Sequence, residues 1–271
     1  MFSDDCSVSE RRKGPCARFG KTFKVRLRHS GIDEFRHMNR VHDRWHVSPA
    51  EAITLQEELA GRVVRADRLG TVRKVCGIDV AFSENGRIAR AAAVVLGFPG
   101  LEVRDYAVVQ MKTSFPYIPG LLAFREAPAT LAALSRLSLK PDLLLCDGQG
   151  IAHPRRFGFA SHIGLVTGIP SIGVAKTRFI GEHRAPPARR GAWVPLMDGR
   201  DCIGAVLRTR SGVKPVYASI GHRVSLETAI EYVMACTTRY RLPETTRWAH
   251  RLAGAHELTL GDVAKRSPTP A

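Results

Sequence analysis

The chain has 271 residues, 44% of them hydrophobic, with a formal charge of +16 and a pI near 10.2. That length and apolar content support one large domain with a real core, and the excess of Lys and Arg points to a polyanionic partner, most simply nucleic acid. No apolar stretch reaches the roughly 18 residues of a membrane span. The six cysteines are scattered without a C-x-x-C pair, and the N-terminus is charged where a secretory signal would be apolar, so a reducing, cytoplasmic setting is expected.

Residues 1–47 differ from the rest: RRKGPCARFGKTFKVRLRHSG is basic, glycine-dotted and aperiodic, which predicts a disordered extension. It is either a basic arm for phosphates or a stretch ahead of a true start at Met38. The catalytic domain is expected over 48–254, with a loose tail over 255–271. A helix opens at Ser48, where SPAEAITLQEELAGRVV supplies a Ser cap, a Pro at the first helical position and an acid three residues after the cap. Strand-like runs follow at 75–82, 88–98 and 101–111, the first two joined through an Asn-Gly hairpin signal, giving an antiparallel meander. A helix is expected over about 121–138, kinked or begun at Pro128, then a short buried strand at 141–148. A helix at 158–168, strands in PSIGVAK, DCIGAVLRT and KPVYASIG, and a helix capped by Ser225 complete the pattern. Hairpins followed by alternating strands and helices predict an α/β fold, a mixed central β-sheet flanked by helices on both faces.

Three acids stand out. Asp79 shares a strand face with Val75 and Gly77, and Asp147 closes DLLLCDG on the face of Leu143 and Leu145. Carboxylates on hydrophobic strands are costly without partners, so each taken singly reads as an internal ion pair. Two of them, with Glu126 at a helix beginning between them, form a hard oxygen set suited to Mg²⁺ or Mn²⁺. The loop GQGIAHPRRFG places His153, Arg155 and Arg156 after the acid strand, where an open α/β sheet binds ligands, and these residues suit a phosphodiester backbone. Lys176 ends the next strand on the same rim, and His222 lies just ahead of a helix.

GIDVAF, FPYIPGLLAFRE, DGQGIAHPRRFG, GVAKTRFIG and SIGHRVSLETA, in this order over 48–254, resemble the endonuclease V family of the ribonuclease H-like superfamily. The resemblance implies a ribonuclease H-like sheet with Asp79, Asp147 and Glu126 as metal-binding, catalytic acids, His222 as the catalytic-site histidine, and Lys176 and His153 near the scissile bond. It implies that Pro116, Tyr117, Ile118 and Pro119 form a wedge at the damaged base, and that Gly120, Leu122 and Gly148 line the pocket that reads the extruded base through backbone groups. The implied activity is Mg²⁺-dependent nicking at the second phosphodiester 3′ to an inosine in DNA or RNA by a monomer, leaving 3′-hydroxyl and 5′-phosphate ends. Gln149 departs from the His or Asn of many relatives, and the basic arm lies outside the pattern.

Two other classes compete. A binding protein that has lost catalysis gains nothing from three clustered acids. An actin-like phosphotransferase needs a Gly/Ser/Thr-rich phosphate hairpin after its strand acid, and here Asp79 is followed by VAFSENG.

Overall fold

The computed structural model describes residues 45–254; the basic arm, Met38 and the tail over 255–271 lie outside the described residues. The first helix of the described residues, α1 (Pro49–Ala60), begins as its sequence predicts. The Ser48 side chain accepts from the Glu51 amide, and the Glu51 carboxylate accepts from the Ser48 amide at 2.8 Å, a reciprocal cap that satisfies two otherwise orphaned donors.

The meander follows as β1 (Lys74–Ser83), β2 (Ile88–Gly97) and β3 (Val103–Lys112). Asn85 and Gly86 take the left-handed backbone expected of the pair, within a single 3₁₀ turn over Glu84–Gly86. Then come α2 (Leu122–Ser135), β4 (Leu143–Cys146), α3 (Phe159–Thr167) and β5 (Ser171–Ala175). The described residues close with β6 (Trp193–Asp198), β7 (Asp201–Leu207), β8 (Val216–His222), α4 (Leu226–Ala235) and α5 (Glu244–Gly254). The helix α2 starts at Leu122 and runs through Pro128, so the expected beginning at Pro128 does not occur and Glu126 sits in the second turn.

One eight-stranded sheet results, ordered β3-β2-β1-β4-β5-β8-β7-β6. Its centre is parallel, β1 beside β4 beside β5, and both wings are antiparallel. Each sheet face carries its own core. Cys76, Ile78, Leu144 and Cys146 face α2 and α3, against Ala123, Ala127 and Ile163. Val75, Leu143, Leu145 and Ile172 face α4 and α5, against Ala229, Val233, Trp248 and Leu252. Burying each large side chain contributes roughly 1.5–3 kcal/mol. A smaller cluster of Ala52, Phe115, Leu121 and Phe124 ties α1 to the segment ahead of α2.

One contact fixes the height of α5. A Cβ at Gly77 would lie 2.0 Å from the carbonyl oxygen of Thr245, so only glycine lets the start of this helix close onto β1. The two hydrogen bonds from the Arg125 guanidinium, 2.6 Å to the Phe115 carbonyl and 2.5 Å to the Gly86 carbonyl, clamp α2 to the hairpin turn and to the loop before it.

Candidate active site

The parallel register pairs Gly77 with Leu145 and Ile78 with Cys146, and the Asp147 amide donates to the Ile78 carbonyl at 3.0 Å. One further step along both strands sets Asp79 beside Asp147, on the face covered by α5. Lys176, the residue after β5, brings its Nζ to 2.5 Å from Asp147 Oδ2. From above, α5 lowers His250, whose Nδ1 lies 2.7 Å from Asp79 Oδ2. One ligand atom from each of Asp79, Asp147 and His250 falls within 4.8 Å of the others. Two carboxylates and an imidazole so close form a donor set that fits a divalent cation.

The electrostatics agree with that fit. Burial and then the neighbouring Asp147 push the Asp79 carboxyl above the ordinary aspartate range, against the opposing pull of His250 and Lys176. Glu126 approaches from α2, on the other side of the sheet. Its half-buried carboxyl is pushed up to about 8, first by burial and then by Asp79 and Asp147, with Arg125 acting against them. The raised carboxyls of Asp79 and Glu126, each facing Asp147, are relieved by a cation among the three.

The segment ahead of α2 is anchored at both ends. Phe115 and Leu121 are buried, and Ile118 packs partly against the same cluster. Tyr117, between Pro116 and Pro119, points away and is 67% exposed. Gly120 turns the chain with φ +84°, and its carbonyl receives three donors: Gln56 Nε2 at 3.0 Å, His153 Nε2 at 2.9 Å and an Arg155 guanidinium nitrogen at 3.0 Å. Arg155 Nε also donates to Gln56 Oε1 at 2.7 Å. Because His153 Nδ1 accepts from the Arg155 amide at 3.2 Å, Nε2 carries the proton donated to Gly120. Burial and the two adjacent arginines push this histidine down to about 4. The loop leaving Asp147 thus returns to grip the loop that presents Tyr117.

Several of the expected contact residues have partners within the protein. His153 and Arg155 hold the Gly120 carbonyl, and Arg156 is paired with Asp198 at 2.7 Å and Asp201 at 2.8 Å, so all three are engaged within the protein where phosphate contacts were expected. Ile118 is an anchor more than a probe. Leu122 opens α2, and Gly148 follows Asp147 with Phe159 close by, 3.5 Å from where its Cβ would be.

The structure does not bring His222 to the acids. β8 runs antiparallel to β5, so Tyr217 pairs with Ala175 and His222 pairs with Ser171, at the far end of the strand from Lys176. At about 3.3 Å per residue, five residues separate the two ends by roughly 16 Å. His222 is buried and accepts from the Val64 amide through Nδ1 at 3.2 Å. The histidine beside the acids is His250, which the sequence reading passed over together with Gln56. Both had a signal. Thr245, Trp248, Ala249 and Leu252 recur at helical spacing and outline α5, and Gln56 sits on the buried stripe of α1 between Ala52 and Leu59.

Adjacent strand acids on the rim of a mixed sheet, closed by a lysine and a histidine in a strongly basic chain, define a metal-dependent nuclease of the ribonuclease H-like class. The Endonuclease V family profile matches residues 57–251. Endonuclease V of Roseiflexus sp. (strain RS-1) is 58% identical over 209 residues, 77% of this chain and 93% of its own. The crystal structure of endonuclease V from Streptomyces avermitilis is 48% identical with a TM-score of 0.74, covering 78% of this chain and 93% of that one. Endonuclease V of Ciona intestinalis, solved with a 24mer DNA containing an inosine followed by a ribo-adenosine, is 30% identical with a TM-score of 0.67, covering 75% and 95%. The chain belongs to the endonuclease V family and is an endonuclease.

Proposed function

We propose that this endonuclease nicks a strand at the second phosphodiester 3′ to a deoxyinosine, leaving 3′-hydroxyl and 5′-phosphate ends, with Mg²⁺ as the ion and Mn²⁺ able to replace it. The observation that carries this reading is the cluster of Asp79, Asp147 and His250, whose ligand atoms lie within 4.8 Å of one another. The inosine-containing DNA bound by the Ciona relative supports the choice of lesion.

Asp79, Asp147 and His250 would hold the ion, which when bound lowers the pKa of water and neutralises phosphate charge. Glu126, raised to about 8 by burial and by Asp79 and Asp147, would be ionised beside a bound cation and would then orient the attacking water by accepting its hydrogen bond. Lys176 keeps Asp147 in place and faces the developing charge on the phosphate oxygens. Tyr117 enters the base stack beside the lesion. Its rigidity follows from Pro116, Pro119 and the triple grip on Gly120, because a probe already fixed loses little entropy on insertion.

The test is a nicking assay on strands with a single deoxyinosine, with product ends mapped and Mg²⁺, Mn²⁺ and EDTA compared. Asp79→Ala and Asp147→Ala should each lower the rate at least ~10³-fold, about 4 kcal/mol of barrier, while strand affinity changes little. His250→Ala should raise the Mg²⁺ concentration for half-maximal rate. Normal nicking by either aspartate variant would remove the metal assignment, and a cut elsewhere would remove the positional one.

A further inference from the structure

On the face of the sheet opposite the Tyr117 loop, α5 and the loop before it enclose a cavity of about 340 Å³ that the roles above leave unassigned. Arg239, Arg247 and Arg251 line it against one carboxylate, Glu244. Glu244 is buried and already occupied, at 2.7 Å from Arg247 and 2.7 Å from the Thr238 hydroxyl. Arg239 and Arg251 form no ion pair among the described residues. All three guanidinium groups lie over aromatic faces, Arg247 at 3.4 Å and Arg239 at 5.8 Å from the Tyr240 ring centre and Arg251 at 4.9 Å from that of Trp248. Stacking of this kind fixes a guanidinium plane while leaving its N–H edges available.

The cavity is joined to the acid cluster at two points. Arg251 follows His250, and Arg247 lies one helical turn before it on α5. Arg241, next to Tyr240, donates to the Lys176 carbonyl at 2.6 Å, and Lys176 in turn holds Asp147. We infer that this groove binds the phosphodiester backbone of the substrate strand beyond the scissile bond, with Arg239 and Arg251 as its unpaired phosphate ligands. The strand then crosses the sheet rim, from Tyr117 on one face, over Asp79 and Asp147, to the arginines on the other. The inference rests on the nuclease reading and adds to it the path of the strand.

The experiment compares wild type with the Arg239→Gln/Arg251→Gln double variant, using fluorescence anisotropy on a labelled single strand carrying one deoxyinosine, from low to high salt. Two lost phosphate contacts on a single strand should reduce the slope of log K against log salt by about 1.4, and affinity near physiological salt should fall about 10- to 100-fold. The loss should appear in KM, with kcat falling less than about threefold. The Arg239→Lys/Arg251→Lys variant should recover the slope, which a merely structural role of these side chains would not produce. An unchanged slope and Kd in the glutamine variant, with its Tm equal to wild type, overturns the groove. Wild-type protein that binds with the full slope but does not nick at deoxyinosine overturns the proposed activity and leaves the groove standing.

Discussion

Tyr117 is the residue whose environment changed most in meaning once its neighbours were located. Its ring is 67% exposed, so truncation removes little from the folded state. Tyr117→Ala should therefore leave the Tm within about 2 °C, since exposed substitutions shift stability by about 0.5 kcal/mol or less. Discrimination should suffer instead, because a base–aromatic stack is worth roughly 1–3 kcal/mol. We expect about 5- to 150-fold weaker preference for inosine over undamaged strand, measured by competition binding. An unaltered preference would mean that the ring is not a probe. Arg155 and His153 carry the opposite lesson: a basic residue after an acid strand suggests a phosphate contact, but which acceptor it finds is set by the fold. Here the acceptor is the Gly120 carbonyl.

Between elements, the controlling contact is α5 over β1. Gly77→Ala drives a methyl group into the Thr245 backbone, which cannot rotate aside, so the helix must lift. Overpacking of this type costs about 1–3 kcal/mol. The variant should lose roughly 2–10 °C of Tm, and because the lift carries His250 away from Asp79, nicking should need more Mg²⁺ even well below the melting range. A Tm loss with an unchanged Mg²⁺ requirement would separate the helix from the site. The acids at 79 and 147 were legible in the sequence because period-2 counting and strand ends are local properties. So were the meander, the capped helices α1 and α4, and the two-faced sheet. The direction of β8 was not, since nothing within a strand's own residues says whether its neighbour runs parallel or antiparallel. His222 was assigned to the site from the family resemblance, and the antiparallel course of β8 carries it to the other end of the strand. β6 escaped because Pro195 argues against a strand, although Pro is tolerated where, as here, the strand lies at the sheet edge.

The molecule as a whole should show competing responses to acid. His153 and His222 are both pushed down to about 4 by burial and adjacent arginines, and each accepts a backbone N–H through Nδ1. Between about 6.5 and 4 the unfolded chain binds these protons and the folded chain refuses them, so stability falls as pH drops through that window. The loss is on the order of 3 kcal/mol for each histidine. Glu126 pulls the other way. Raised to about 8, it keeps its proton in the metal-free folded state and adds stability as pH falls from 8 toward 4.5. In an Asp79→Asn/Glu126→Gln background, where neither raised carboxyl can offset the histidines, the urea midpoint should therefore drop clearly between pH 7 and pH 4.5 with chelator present. A flat midpoint would show that the folded protein accepts protons at both histidines.

The parallel contact between β1 and β4 also has a kinetic consequence. The hairpins of the meander close over short loops, whereas Asp79 and Asp147 meet only when β4 has crossed back to lie beside β1. Such non-local pairing is the slow part of assembling a sheet. The cation site therefore comes into existence late, after the barrier has mostly been climbed. A divalent ion should slow unfolding roughly in proportion to its affinity and leave the refolding rate nearly unchanged, which stopped-flow refolding and unfolding with Mg²⁺ or EDTA would measure directly. Cation binding would then act as a latch on a finished fold, and the chain would become competent for chemistry only when its central strands are in register.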